Sequence, residues 1–244
     1  MKNRCLNFFK GLGCIFVIFI HFPFPGEIGR IISGLARFAV PLFFMISGYY
    51  AYNSREEVDK KMPRKIKHIL RIVVYSTLLY IVYTIGHICI DSGINGIGVW
   101  IRQFCSPIKV FRMLFLGDLW CINGSGLWFV YTLLWSYIIL YIINRYNLYR
   151  IAYKLMPILF LIRIIIFGCT NYYFVELHWL TVNNVLMTGL PYVMMGNFIA
   201  KHKEIILEKV STKRLIIAII IGIPFVMISE YTNLYIDVGY IGVI

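Results

Sequence analysis

Apolar positions along this chain come in long unbroken runs, without the alternation of a half-buried strand. They lie at about 8–25, 31–53, 67–90, 126–144, 151–169, 180–200 and 214–230, each close to the roughly 20 residues that a helix needs to cross a hydrocarbon core about 30 Å thick. The closing Tyr-Ile-Asp-Val-Gly-Tyr-Ile-Gly-Val-Ile leaves room for one more. The pattern predicts an all-α polytopic transmembrane bundle of about seven to eight spans, forming one integral-membrane domain over residues 1–244. A transmembrane barrel would need alternating strands, which these runs do not provide. Residues 91–125 form the longest connection, where Val-Trp-Ile-Arg-Gln-Phe and Val-Phe-Arg-Met-Leu-Phe read as short amphipathic pieces on the membrane surface, and Asn123-Gly124-Ser125 reads as a turn. The chain stops inside an apolar stretch without a helix stop signal, which is the expectation for a C-terminally truncated protein.

Composition agrees with this reading. Sixty per cent of the 244 residues are hydrophobic and the mean hydropathy is +0.76, well above the roughly 45–50% apolar content of a soluble domain. The first 25 residues have the basic start and apolar centre of a signal peptide, but His21-Phe22-Pro23-Phe24-Pro25 lacks a small-residue cleavage pattern, and a second apolar run follows at once. The segment is therefore read as a membrane helix. The six cysteines show no metal-binding spacing and read as small apolar residues, with a Cys105–Cys121 disulfide in the long connection left open.

A net charge of +13 would point to nucleic acid in a soluble protein, but here the cations cluster between the apolar runs. One side of the membrane collects Lys2 and Arg4, the run Arg55, Lys60, Lys61, Arg64, Lys65 and Lys67, then Arg145 and Arg150, then Lys201, Lys203, Lys209, Lys213 and Arg214. The opposite side holds Arg30, Arg37, Arg102, Lys109 and Arg112. The positive-inside rule assigns the first side, and with it the N-terminus, to the cytoplasm. The lipid bilayer is the expected surrounding, and no nucleic-acid partner is expected.

Ionisable residues inside spans are costly and mark functional candidates. Lys154 can snorkel to the cytoplasmic end of its helix. Arg163 is deeper, with Glu176 or Glu230 as candidate partners in a structural ion pair. Lys10 and His21 stand eleven residues apart on one helix, so that at about 100° per residue they return to within roughly 20° of one face after about 16 Å of rise. A long anionic ligand held at Lys10 would present its far end to His21. The alternative is a snorkelling lysine with an interfacial histidine.

These residues resemble a known family. The stretch from Asn7-Phe8-Phe9-Lys10 to His21 is similar to the first helix of the acyltransferase type 3 family, where a basic residue, usually arginine, precedes an essential histidine by eleven positions. Val40-Pro41-Leu42-Phe43-Phe44-Met45-Ile46-Ser47-Gly48 resembles the second helix's Pro-Leu-Phe-Phe signature with its Ser-Gly pair. Arg71 matches one arginine of the family's Arg-x-x-Arg, with His68 in place of the other. Gly126-Leu127-Trp128-Phe129 and Gly189-Leu190-Pro191-Tyr192 resemble two later segments.

The resemblance implies a multi-pass enzyme of the bacterial cell membrane. It would draw an acyl group, acetyl or another, from a cytoplasmic acyl-CoA co-substrate and deliver it to a hydroxyl of a cell-envelope sugar or polysaccharide. His21 is the expected base, or a covalent carrier of the acyl group. Lys10 and Arg71, assisted by Arg64 and Lys67, are the expected partners of the CoA phosphates. Ser47 and Gly48 serve either substrate approach or helix packing, and Trp128 either a substrate platform or an interfacial anchor. No bound cofactor or metal is expected. A glycan-intermediate transporter would need acidic residues deep in the spans, and all eleven Asp and Glu lie outside or at the ends of them. An inactive membrane fragment is the other alternative.

Overall fold

A computed structural model describes residues 4–53, 55–104, 106–122, 124–173, 181, 183–211, 213, 214 and 217. Most of the expected span at 214–230, the closing apolar segment, Glu176, Glu230, Cys105 and Asn123 lie outside these residues. Among the described residues every regular element is helical: α1 (Arg4–His21), α2 (Gly26–Ala36), α3 (Ala39–Tyr49), α4 (Arg55–Phe104), α5 (Pro107–Phe111), α6 (Trp128–Arg145), α7 (Tyr149–Tyr173), α8 (Leu190–Lys201) and α9 (Lys203–Lys209).

Among the described residues, three stretches are long and apolar enough to cross a membrane: α1, the Gly26–Tyr49 pair of α2 and α3, and α4. Large apolar side chains cover their outer faces, among them Phe8, Ile15 and Ile18 on α1 and Leu78, Leu79 and Val82 on α4. In water this surface would drive aggregation, whereas against lipid it is matched. The protein is a membrane protein.

The second apolar run is broken where one straight span is expected. Pro41 has no N–H to give to the carbonyl of Arg37 and its ring crowds that carbonyl, so α2 ends at Ala36 and α3 starts at Ala39 after a turn at Arg37 and Phe38. The connection at 91–125 is more helical than its sequence implies. Helix α4 carries on to Phe104 through a break at Gly93, whose φ of 66° a side-chain-free residue adopts without strain. The rest of the connection is pinned onto the bundle. The Trp100 indole donates to the Cys121 carbonyl at 2.7 Å, the Trp135 indole to the Leu114 carbonyl at 2.7 Å, and Arg112 pairs with Asp118 at 2.7 Å. Cys121 is a free thiol.

Antiparallel packing brings the ends that matter together. Asn144 near the end of α6 donates to Asp59 near the start of α4 at 3.1 Å, and Thr77 of α4 meets Tyr131 of α6 at 2.9 Å, so residue numbers on the two helices run in opposite senses. Helix α3 and α8 approach until glycines meet backbone. A Cβ on Gly48 would stand 1.9 Å from the Val193 carbonyl oxygen, and one on Gly196 would stand 1.9 Å from that of Met45. Around this contact the buried core gathers Phe44, Met62, Trp128, Tyr137, Leu140, Val193 and Met194.

Candidate functional site

The same antiparallel arrangement leaves a cavity of about 610 Å³ between α1, α3, α4 and α6, within the roughly 300–1,000 Å³ of small-molecule sites. Its lining is Asn7 and Lys10 from α1, Ser47 and Tyr50 at the end of α3, Arg64, Lys65, His68 and Ile69 from α4, and Tyr137 from α6. Four of the nine carry basic groups and no carboxylate is among them. Gathering cations without counter-charge stores repulsion that an anion relieves.

Two of the cations are anchored at the end of α3. The Lys10 ammonium sits over the Tyr50 ring, 4.6 Å from its centroid, a cation–π contact. The Lys65 ammonium donates to the Tyr50 carbonyl at 2.7 Å, where the partial negative charge of the α3 C-terminus favours it. Only part of α4 can lie in a bilayer, because its 50 residues laid out straight would reach about 75 Å against about 30 Å of hydrocarbon. Lys65 precedes the apolar run that starts near 67 and so stands outside the membrane-spanning part. Burial, and then the neighbouring Lys61 and Lys10 ammonium groups, push its pKa below the ordinary lysine value. At the other side of the cavity the Tyr137 hydroxyl is hydrogen-bonded to Ser47.

Of the residues expected from sequence, Lys10, Arg64 and Ser47 are brought together here. Lys67 and Arg71 are exposed and do not line the cavity. At 100° per residue, Arg64, Lys65, His68 and Ile69 cluster on one side of α4, and Lys67 and Arg71 fall roughly 90–130° from its centre. Gly48 is filled over by Val193. Trp128 is buried, with its ring centroid 6.4 Å from Phe44. His21 ends α1, exposed and outside the cavity lining.

Sequence reasoning passed over Lys65, Tyr50, Asn7 and Tyr137 as site residues. In the sequence Lys65 belongs to a charge run, and its register beside Arg64 and His68 is readable there. Tyr137 carried no signal, since it is one of 18 tyrosines in an apolar helix. The deep Arg163 of α7 is buried and donates to the Thr188 hydroxyl and to the Met187 carbonyl at 3.5 Å, which ties α7 to the turn that opens α8.

The fold is thus a bundle of apolar helices with a pocket lined by four basic side chains at one end. The acyltransferase domain family model matches residues 3–241, and the chain belongs to the acyltransferase type 3 family. Searches of curated proteins and of solved structures returned no significant match.

Proposed function

We propose that this acyltransferase takes its acyl group, acetyl in the simplest case, from acyl-CoA bound in the cavity at Lys10, Arg64, Lys65 and His68, and passes it to a hydroxyl of a cell-envelope sugar or polysaccharide. The observation that carries the reading is the set of four basic side chains on one cavity without a carboxylate, which suits a ligand with several phosphates. By the distribution of Lys and Arg this end of the bundle faces the cytoplasm, where acyl-CoA is made, and the protein lies in the cell membrane with its N-terminus inside.

His21 is the proposed base. It stands eleven residues beyond Lys10 on α1, about 16 Å along the helix, a separation that the extended pantetheine arm of CoA is suited to bridge. The acceptor hydroxyl gives its proton to the imidazole as its oxygen attacks the thioester carbonyl carbon. The carbon–sulfur bond then breaks, and the sulfur leaves as CoA thiol after taking up a proton. A hydroxyl is a poor nucleophile until its proton is leaving, which is why a base is needed. Arg71 and Lys67 lie off the cavity face and are proposed as a secondary, outer attraction for the donor.

The test is transfer by membranes containing the full chain, supplied with acetyl-CoA labelled in the acetyl group and with envelope glycans. Label appearing in glycan, and competed away by unlabelled CoA, supports the reading. Membranes that neither bind acetyl-CoA nor label any glycan refute it.

The lowered pKa of Lys65 has a consequence for pH. Its cationic form is lost as pH rises through a value below that of ordinary lysine, so donor affinity should begin to weaken on the alkaline side earlier than a free ammonium would allow. Lys65→Arg, whose guanidinium does not titrate in this range, should flatten that limb of the profile. Donor binding measured against pH for both proteins checks this, and superimposable profiles would remove Lys65 from the donor site.

A further inference from the structure

Helix α1 is lightly held. Among the described residues it buries only Gly13, and it turns large apolar side chains outward. It is seated on α3 through ring contacts. A Cβ on Gly13 would face the Phe43 ring, the Phe16 ring lies 5.1 Å from Phe38, and at the cavity the Lys10 ammonium lies 4.6 Å from the centroid of the Tyr50 ring. Rising residue numbers on α1 meet falling numbers on α3, so the two helices are antiparallel and Tyr50 holds the cavity end of α1.

A lysine ammonium on its four-carbon stem is a mobile charge, and standing Lys10 near Lys65 costs side-chain freedom and repulsion together. Tyr50 offsets both with two different groups. Its ring turns the negative face of its π-system to Lys10. Its carbonyl, at the end of α3 where carbonyls lack a helical donor, accepts from Lys65 at 2.7 Å. The backbone here is fixed, because the Tyr50 N–H donates to the Ile46 carbonyl at 3.1 Å and the buried Ala51 donates to the carbonyls of Ser47 and Gly48. The Tyr49 ring stands at 88° to that of Tyr50, with centroids 5.8 Å apart. One residue thus sets where cations from two other helices stand.

We infer that Tyr50 is a positioning residue of the donor site, whose ring holds the Lys10 ammonium at the cavity in readiness for an acyl-CoA phosphate. The ammonium has three N–H donors, so it can rest on the ring on one side and donate to phosphate on the other. A cation already ordered loses less freedom when the anion binds, and the difference appears as donor affinity. The effect of the side chain runs through Lys10, since a substitution at position 50 leaves in place the main-chain carbonyl that holds Lys65. The inference rests on the acyl-CoA reading of the cavity.

The experiment measures acetyl-CoA binding by the full chain in lipid discs, and kcat and KM for transfer to envelope glycan in membranes. The proteins compared are the wild type, Tyr50→Leu, Tyr50→Phe, Lys10→Ala and the Tyr50→Leu, Lys10→Ala double variant. Tyr50→Leu should weaken binding about three- to tenfold, as expected of a partly desolvated cation–π contact, and should raise KM with little change in kcat. Tyr50→Phe keeps a ring and should recover most of the affinity. On the Lys10→Ala background Tyr50→Leu should cost less than about twofold, because the partner of the ring is already gone. Pentafluorophenylalanine in place of Tyr50 keeps the size of the ring and reverses the charge of its face. It should bind as weakly as the leucine variant, and it carries the test if Tyr50→Leu fails to accumulate. An undiminished loss from Tyr50→Leu in the Lys10→Ala background, or a fluorinated ring that binds as well as phenylalanine, overturns the inference and leaves the donor site standing. A wild type that binds no acetyl-CoA overturns the acyl-CoA reading itself.

Discussion

Replacing His21 with alanine is expected to lower acyl transfer by about 10²–10⁴-fold, the usual contribution of a positioned proton acceptor, while acyl-CoA still binds. The two halves of that expectation come from one helix. His21 closes α1 and lies outside the cavity lining, whereas Lys10 is inside it, so chemistry and donor binding should be separable by mutation. Lys10→Ala should show the opposite division, a donor affinity weakened roughly 10–100-fold, as follows from losing a charge-assisted hydrogen bond, with transfer partly recovered at saturating donor. Lys10→Arg should recover affinity, since a guanidinium grips phosphate with two donors at once. Steady-state rates over a range of acyl-CoA concentrations read both effects. Should His21→Ala transfer as fast as the wild type, the base lies elsewhere; should Lys10→Ala leave the donor's KM unmoved, the cations of the cavity serve another ligand.

The features that were legible in the sequence are those that follow from periodicity along one helix. The eleven-residue spacing of Lys10 and His21 is a property of α1 alone, and the cations at 64–68 are a property of α4 alone. What the sequence could not supply was which face of α4 turns toward α1. That choice is made by contacts between helices, such as Lys65 with Tyr50 and Asp59 with Asn144, and it decides that His68 lines the cavity and Arg71 does not. Tyr137 was invisible for the same reason, since its role arises only where α6 crosses behind Ser47. The apolar runs announced helices correctly as a class but hid their breaks. A proline four residues beyond Arg37 is a local signal that divides α2 from α3, yet a hydropathy average over the region smooths it away. The helical continuation of α4 through Gly93 was masked by the opposite error, in which glycines and polar residues at 91–98 read as an exit from the helix.

Gly48→Ala should be the most damaging single-methyl change in this part of the bundle. Added methyls in packed cores typically cost about 1–3 kcal/mol because neighbouring side chains can shift or change rotamer. Here the obstacle at 1.9 Å is the main-chain oxygen of Val193, which cannot move without moving α8, and the reciprocal approach of Gly196 to Met45 fixes the two helices at the same crossing. Separating them would strip contacts from Phe44, Val193 and Met194 together, residues that are almost completely buried. The expected outcome is a large fall in folded protein in the membrane and in melting temperature, and Gly196→Ala should behave alike. Gly11→Ala supplies the contrast, because nothing lies within 4 Å of the Cβ it would add, and in mid-helix that change should be neutral or stabilising by roughly 0.5–1 kcal/mol. Thermal unfolding of the three variants in detergent decides the matter. If Gly48→Ala melts with the wild type, the close crossing of α3 and α8 is wrong, and with it the placement of Ser47, one residue away, in the lining of the cavity. The glycine after Ser47 is therefore a structural requirement of the site, since it lets α3 seat against α8 at the depth where its neighbouring hydroxyl reaches Tyr137.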